Sequence, residues 1–184
     1  MVVFVDRVFA ERGAFVRAGT TLTPERLATF LGPVNRAMWK ADITPAKRRA
    51  AFLAQLAHES GELRYMEEIA SGQAYEGRTD LGNTEPGDGK RYKGRGPMQL
   101  TGRANYRKAG EALGLDLEQK PEIVAQPEIG CQVAGWFWQT HKLNALADAD
   151  DVQRSTRRIN GGLNGLKQRE AYYRSANEVL KASK

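Results

Sequence analysis

PAKRRAAFLAQLAHESGELRYM, residues 45–66, decides how the rest of the chain is read. Its apolar residues Phe52, Leu53, Leu56, Leu63 and Met66 recur at helical spacing, which predicts an amphipathic helix opening at Pro45 and continuing through Met66. On a wheel advancing about 100° per residue from Phe52, Leu56 lies at roughly 40°, Leu63 at roughly 20° and Met66 at roughly −40°. Glu59 falls at about −20°, on the apolar side, whereas His58 and Glu62 point away from it.

A carboxyl group facing apolar surroundings loses hydration of its charged form, so the pKa of Glu59 is expected to rise. An acid that keeps its proton near neutrality is suited to protonating the leaving oxygen of a glycosidic bond. The same position also fits an acid at the edge of the stripe paired with a Lys or Arg, and both readings stand. Glu67 projects near the stripe too if the helix continues. Glycosidic chemistry needs a second carboxylate, and the polar insert that follows offers Glu76, Asp80, Glu85 and Asp88. Glu76 stands in Tyr75-Glu-Gly-Arg78, where glycine admits close backbone approach and Arg78 is placed to hold the acid ionised. A solvated loop glutamate is the competing reading.

Outward from this helix the elements punctuate clearly. Thr23-Pro24-Glu25 is a helix start, with a capping hydroxyl, proline in the first turn and an acid near the positive dipole end. Gly32-Pro33 is expected to interrupt that helix, and Thr44-Pro45 repeats the start signal. Residues 71–98 are rich in glycine and turns, and 89–97 cannot sustain a helix, so a loop and a small hairpin are expected there. Helical patterning returns at 102–114 and 127–141, breaks at Asn160-Gly161-Gly162, and resumes from about 165 to 181. Residues 2–18 predict a short helix docked on the body, with membrane contact as the other reading. The expected fold class is mainly α (α+β), one catalytic domain over 1–184: an N-terminal helical extension at 1–20, then a body over 21–184 with the irregular insert at about 71–98.

Composition narrows the function classes. The single Cys131 rules out an intramolecular disulfide, and two histidines with no CxxC spacing leave no metal centre to expect. The formal charge of +6 favours polyanionic partners such as nucleic acid, anionic lipid or acidic wall polymer. The opening Met-Val-Val-Phe-Val is too short for a signal peptide, and no window approaches the roughly 18 apolar residues of a membrane span. A chain made in the cytoplasm without stable membrane insertion is therefore expected.

Ala57-His-Glu-Ser-Gly61, Tyr92-Lys-Gly-Arg-Gly-Pro-Met-Gln-Leu-Thr101, Asn105-Tyr106, Trp136-Phe-Trp138 and Ile159-Asn-Gly-Gly162 follow one another along the chain. Together they resemble glycoside hydrolase family 19, the family of plant chitinases and many bacteriophage endolysins. The insert Tyr75-Glu-Gly-Arg-Thr-Asp-Leu-Gly-Asn83 is similar to the phage and bacterial branch, and this chain lacks the disulfides and signal peptide of the plant enzymes. The resemblance implies a lysozyme-like helical fold and an inverting acid/base mechanism without a cofactor. Glu59 is then the general acid and Glu76 the general base. Substrate contacts fall to His58, Arg78, Tyr92, Gln99, Thr101, Asn105, Tyr106, Asn160 and Arg169. Among these, Tyr92 and Tyr106 suit stacking on sugar rings, and Gln99 and Thr101 share an orientation if their segment is extended. Asn160 is either a plain turn residue or ligand-facing, while Trp136 and Trp138 fit the core better than a subsite.

The implied substrate is the β-1,4-linked glycan of peptidoglycan. The implied setting is a monomeric endolysin held in the host cytoplasm until a separate membrane-permeabilising protein releases it. A chitinase is the nearest alternative, and a non-catalytic wall-binding module is a second. Nucleic acid binding is not expected, because Arg36, Lys40, Arg48, Arg64, Lys93, Arg107 and Arg157 are scattered rather than gathered on a recognition helix.

Overall fold

A computed structural model describes residues 22–182, so the expected helix over 1–20 lies outside the described residues. Helix α1 spans Pro24–Lys40 and starts as its sequence dictates, with the Thr23 hydroxyl accepting from the Arg26 amide at 3.3 Å. It does not break at Gly32-Pro33. Proline removes one helical hydrogen bond, but Phe30, Val34, Ala37 and Met38 on the same face are all buried and hold both halves to the core. Helix α2, Ala46–Glu59, begins behind an extended Pro45 with no side-chain cap and buries every residue from Ala50 to Ala57. It ends at Glu59, seven residues short of the expected Met66.

The insert holds short 3-10 turns at Gln73–Tyr75 and Thr79–Leu81 and the single-turn α3, Asp88–Arg91. Beyond it come α4 (Arg103–Leu113), a 3-10 turn at Pro121–Ala125, and α5 (Pro127–Thr140). The chain closes with α6 (Leu143–Asp148), α7 (Val152–Asn160) and α8 (Leu166–Ala182). No strand forms among the described residues. The expected hairpin shrinks to isolated bridges joining Glu67 to Arg95 and Arg95 to Leu100. Left-handed Gly96 and Gln99, with Pro97 between them lacking an N–H, close the turn after one rung.

Two apolar clusters organise these elements. In the larger, α8 lies along α2 and α1 along α5. Phe52 meets Trp138 edge to face with ring centroids 5.2 Å apart, and the indole N–H donates to Asn144 at 2.8 Å. The smaller cluster joins Tyr92, Leu100, Tyr106, Ala109, Leu117, Val124 and Val133, with Trp136 packed against it. Since Val133 and Trp138 both belong to α5, that helix is the wall shared by the main body and the insert. No helix among the described residues is long and apolar enough to cross a membrane.

Candidate active site

The site begins where α2 stops. The Ser60 hydroxyl donates to the Leu56 carbonyl at 2.6 Å and accepts from the Leu63 amide at 2.7 Å, drawing the chain into a tight turn. Gly61, Glu62 and Leu63 follow with φ of 55°, 62° and 64°. Left-handed backbone costs a non-glycine residue roughly 1–2 kcal/mol, so this turn persists only because its surroundings hold it. Arg26 donates to the carbonyls of Leu63 and Arg64, the Glu62 amide reaches Ala57 at 2.7 Å, and Tyr172 donates its hydroxyl to Glu62 at 2.8 Å. Leu63 is therefore buried by a turn rather than by a continuing helix.

Glu59, the last residue of α2, keeps 17% of its side chain exposed. Its partner is not an apolar wall but Arg169, whose side chain is 1% exposed and which donates to Glu59 Oε1. Of the two readings left open for this acid, the ion pair is the one observed. The same guanidinium donates to Gln55 Oε1 and, at 3.2 Å, to the Asn164 carbonyl. That carbonyl also accepts from the Asn160 amide at 3.2 Å, while Asn160 Oδ1 receives the Gly162 N–H at 2.8 Å. His58 bonds through Nδ1 to Gln168 at 2.7 Å, and burial, followed by the nearby Arg169 charge, lowers its pKa. His58, Glu59, Asn160 and Arg169 are thus gathered in one place.

The turn leads from Glu59 to a second polar group. Residues 66–68 run against 94–96, with the Glu68 amide on Gly94 at 2.9 Å and the Gly96 amide on Met66 at 2.8 Å. A Cβ on Gly94 would lie 2.7 Å from Gln99 Oε1, 2.8 Å from Glu68 Oε2 and 3.3 Å from Thr101 Oγ1, so three polar side chains converge over a bare α-carbon. Gln99 and Thr101 do meet on one side, although by way of a left-handed Gln99 rather than an extended strand. Asn105 donates to the Thr101 carbonyl at 2.8 Å and steadies that segment. Glu68 Oε2 accepts from Tyr75 at 3.0 Å, while Oε1 is buried with no partner among the described residues. Its neighbour Glu67 is bound at 2.7 Å by Lys93 and at 3.2 Å by Arg95, and the Lys93 bond, above all, holds its carboxyl below the usual range.

Four expected site residues stand elsewhere. Both oxygens of Glu76 accept backbone N–H groups, from Gly87 at 2.6 Å and Gly89 at 2.8 Å, so this carboxylate closes a loop. Arg78 does not face it; its guanidinium forks onto Asp80 at 2.7 and 2.6 Å. Tyr92 and Tyr106 are 1% and 0% exposed, donate to the carbonyls of Glu118 and Lys93, and present no face to a sugar. Glu68 and Gly94 are the residues missed. Glu68 lies past the point where helical periodicity ends, and only the run of two acids before the glycine-rich insert marked it; Gly94 stands inside the Tyr92–Thr101 motif, where nothing distinguished it from Gly96.

Comparison with known proteins assigns the chain to a family. The family model for chitinase class I, glycoside hydrolase family 19, matches residues 36–154. An endochitinase of Arabidopsis thaliana is 39% identical over 153 residues, covering 82% of this chain and 49% of the plant protein. A family 19 domain-containing protein of Haemophilus influenzae is 31% identical, covering 74% of this chain and 82% of that one. The chain thus spans about half the length of that plant relative and most of the bacterial one. In fold it is similar to chitinase C from Streptomyces griseus, with a TM-score of 0.72 at 24% identity over 98% of this chain and 92% of that chain. The chain belongs to glycoside hydrolase family 19.

Proposed function

We propose that the protein hydrolyses β-1,4 bonds of the N-acetylated glycan in bacterial peptidoglycan by an inverting mechanism, with Glu59 as general acid and Glu68, in place of Glu76, as general base. The observation that carries the reading is a contrast between carboxylates. Glu76 spends both oxygens on backbone amides, whereas Glu59 and Glu68 are each held by one oxygen and keep the other. In this mechanism Glu59 gives its proton to the glycosidic oxygen, and Arg169 stabilises the carboxylate left behind. Glu68 Oε1 takes a proton from the water that attacks the opposite face of the sugar, and Tyr75 fixes the other oxygen. Gln99 and Thr101 hold that water and the N-acetyl group.

Peptidoglycan is favoured over chitin by the phage-like insert and by the single cysteine, Cys131, a buried free thiol that leaves this chain without the disulfides of the plant enzymes. The same features support release as an endolysin from the host cytoplasm. Chitin hydrolysis is the second reading, supported by the likeness to a plant endochitinase.

The test is release of reducing ends from purified peptidoglycan and from chitin, side by side. Glu59→Gln and Glu68→Gln should each lose roughly 10²–10⁴-fold in rate while folding. Gln at position 59 still offers Arg169 an acceptor, which is why it is chosen over Ala. Glu76→Gln should stay active but melt lower, because an amide nitrogen facing Gly87 or Gly89 costs about 1–3 kcal/mol. An active Glu68→Gln beside a folded, inactive Glu76→Gln would return the base to Glu76. Faster cleavage of chitin than of peptidoglycan would select the chitinase reading.

A further inference from the structure

From Val152 to Arg169 the chain carries five basic residues and no acidic one. Three are engaged: Arg169 holds Glu59, Arg154 pairs with Asp151 at 3.2 Å, and Arg158 donates to the His141 carbonyl at 3.1 Å. Arg157 and Lys167 remain. Both are exposed, and neither side chain has an ionic or hydrogen-bonded partner among the described residues. Elsewhere on the surface some cations are matched by acids, as in Arg36 with Glu128, Arg48 with Asp148 and Arg107 with Glu118. Others, such as Lys90 and Lys120, are not matched among the described residues, so what sets Arg157 and Lys167 apart is their place beside the acid.

The elements fix where the two unmatched charges stand. Helix α7 buries Ser155 and Thr156 and packs Val152 and Ile159 on the body, so Arg157 faces outward, one turn before Asn160 on the same side. Lys167 lies in the first turn of α8, directly before Gln168, which holds His58, and Arg169, which holds Glu59. The two cations therefore flank, from α7 and from α8, the loop that backs the acid. A guanidinium offers a planar fork matched to a carboxylate, and an ammonium a mobile point charge.

We infer that Arg157 and Lys167 form a carboxylate-reading subsite beside Glu59 that favours glycans bearing acidic substituents. The inference rests on the glycan-hydrolase reading and deepens it. Chitin is uncharged, whereas the lactyl-linked peptides of peptidoglycan carry free carboxylates. The subsite takes those carboxylates, and long-range attraction at low salt brings the glycan to it.

The experiment measures binding without cleavage, using Glu59→Gln protein pelleted with purified peptidoglycan at low salt. Native peptidoglycan should retain the protein roughly threefold to tenfold more tightly than peptidoglycan whose carboxyls have been amidated. Adding Arg157→Gln and Lys167→Gln should erase that difference with an unchanged melting curve, and Arg157→Glu should reverse the preference. Equal retention by native and amidated material overturns the inference, as does a difference that survives both substitutions. Tighter retention on duplex DNA, lost in the same variant, assigns the surface to nucleic acid and also overturns it. The hydrolase reading fails on a separate readout, the absence of reducing ends from any glycan treated with the unsubstituted protein.

Discussion

Arg169 is a buried guanidinium whose every bond lies within the site: Glu59, Gln55 and the Asn164 carbonyl. Removing its counter-charge altogether would strand a buried cation, at a cost of about 3–5 kcal/mol. Gly94 is the matching residue on the other side, where the absence of a side chain does the positioning. Gly94→Ala would drive a methyl group into Gln99 and Glu68. Gln99 is half-buried and meets the methyl only with the far end of a flexible side chain, so stability should fall by only about 1–3 kcal/mol. Displacing Glu68 by a fraction of an ångström should cost more, roughly 10²-fold in kcat. Kinetics and thermal melts on the same preparation check this, and normal turnover with a lowered melt would remove Glu68 from the mechanism. Glu59 was legible because it broke a hydrophobic stripe, and Arg169 because a motif preceded it. Glu68 was not, since a residue in a turn has no period to break. Tyr92 and Tyr106 misled for the opposite reason, because a tyrosine reads alike whether its ring meets a sugar or fills a core and bonds a carbonyl.

At the level of elements, the turn after α2 matters more than the helix. Three consecutive left-handed residues reverse the chain between Glu59 and Glu68, and of these only Gly61 is a residue type that signals such a turn. Leu63 continued the apolar wheel and disguised the stop. Pro33 misled in the other direction, since burial on both sides carries α1 through it. The turn is pinned to α8 by the hydroxyl of Tyr172 on Glu62, a carboxylate only 7% exposed. Tyr172→Phe keeps the ring and removes that donor. A buried acceptor left unsatisfied costs about 1–3 kcal/mol, more when charged. The unfolding free energy from denaturant titration should fall by that amount, moving the midpoint with an unchanged m-value, and kcat should fall because the turn leads to Glu68, the proposed base. An unchanged midpoint would mean that the clamp by Arg26 holds the turn without Tyr172.

For the whole molecule, the mainly helical class and the place of the irregular insert were readable from periodicity and glycine content. The sharing of α5 between two apolar clusters was not, because it depends on which faces meet across the chain. Those faces are laced by ion pairs between distant segments: Arg36 with Glu128, Arg48 with Asp148, and Lys47 with Asp150. Hydrogen bonds from these cations, ahead of any other cause, hold the three carboxyls below their ordinary pKa. A depressed carboxyl contributes stability that is present above its unfolded value of about 4 and is lost as pH falls through the folded value. Each pair is surface-exposed, so solvent screening keeps its contribution small. His58 adds a separate, higher window. Burial lowers its pKa, so the unfolded chain takes up that proton first, and stability is lost as pH falls from about 6.5 toward the folded value. Melting temperature should therefore fall in two stages on acidification, the first from His58 and the second from the carboxyls. His58→Gln retains a donor for Gln168 and cannot titrate, so it should flatten the first stage and leave the second. Identical melting profiles for the two proteins between pH 7 and pH 5 would show that the His58 proton is not linked to folding.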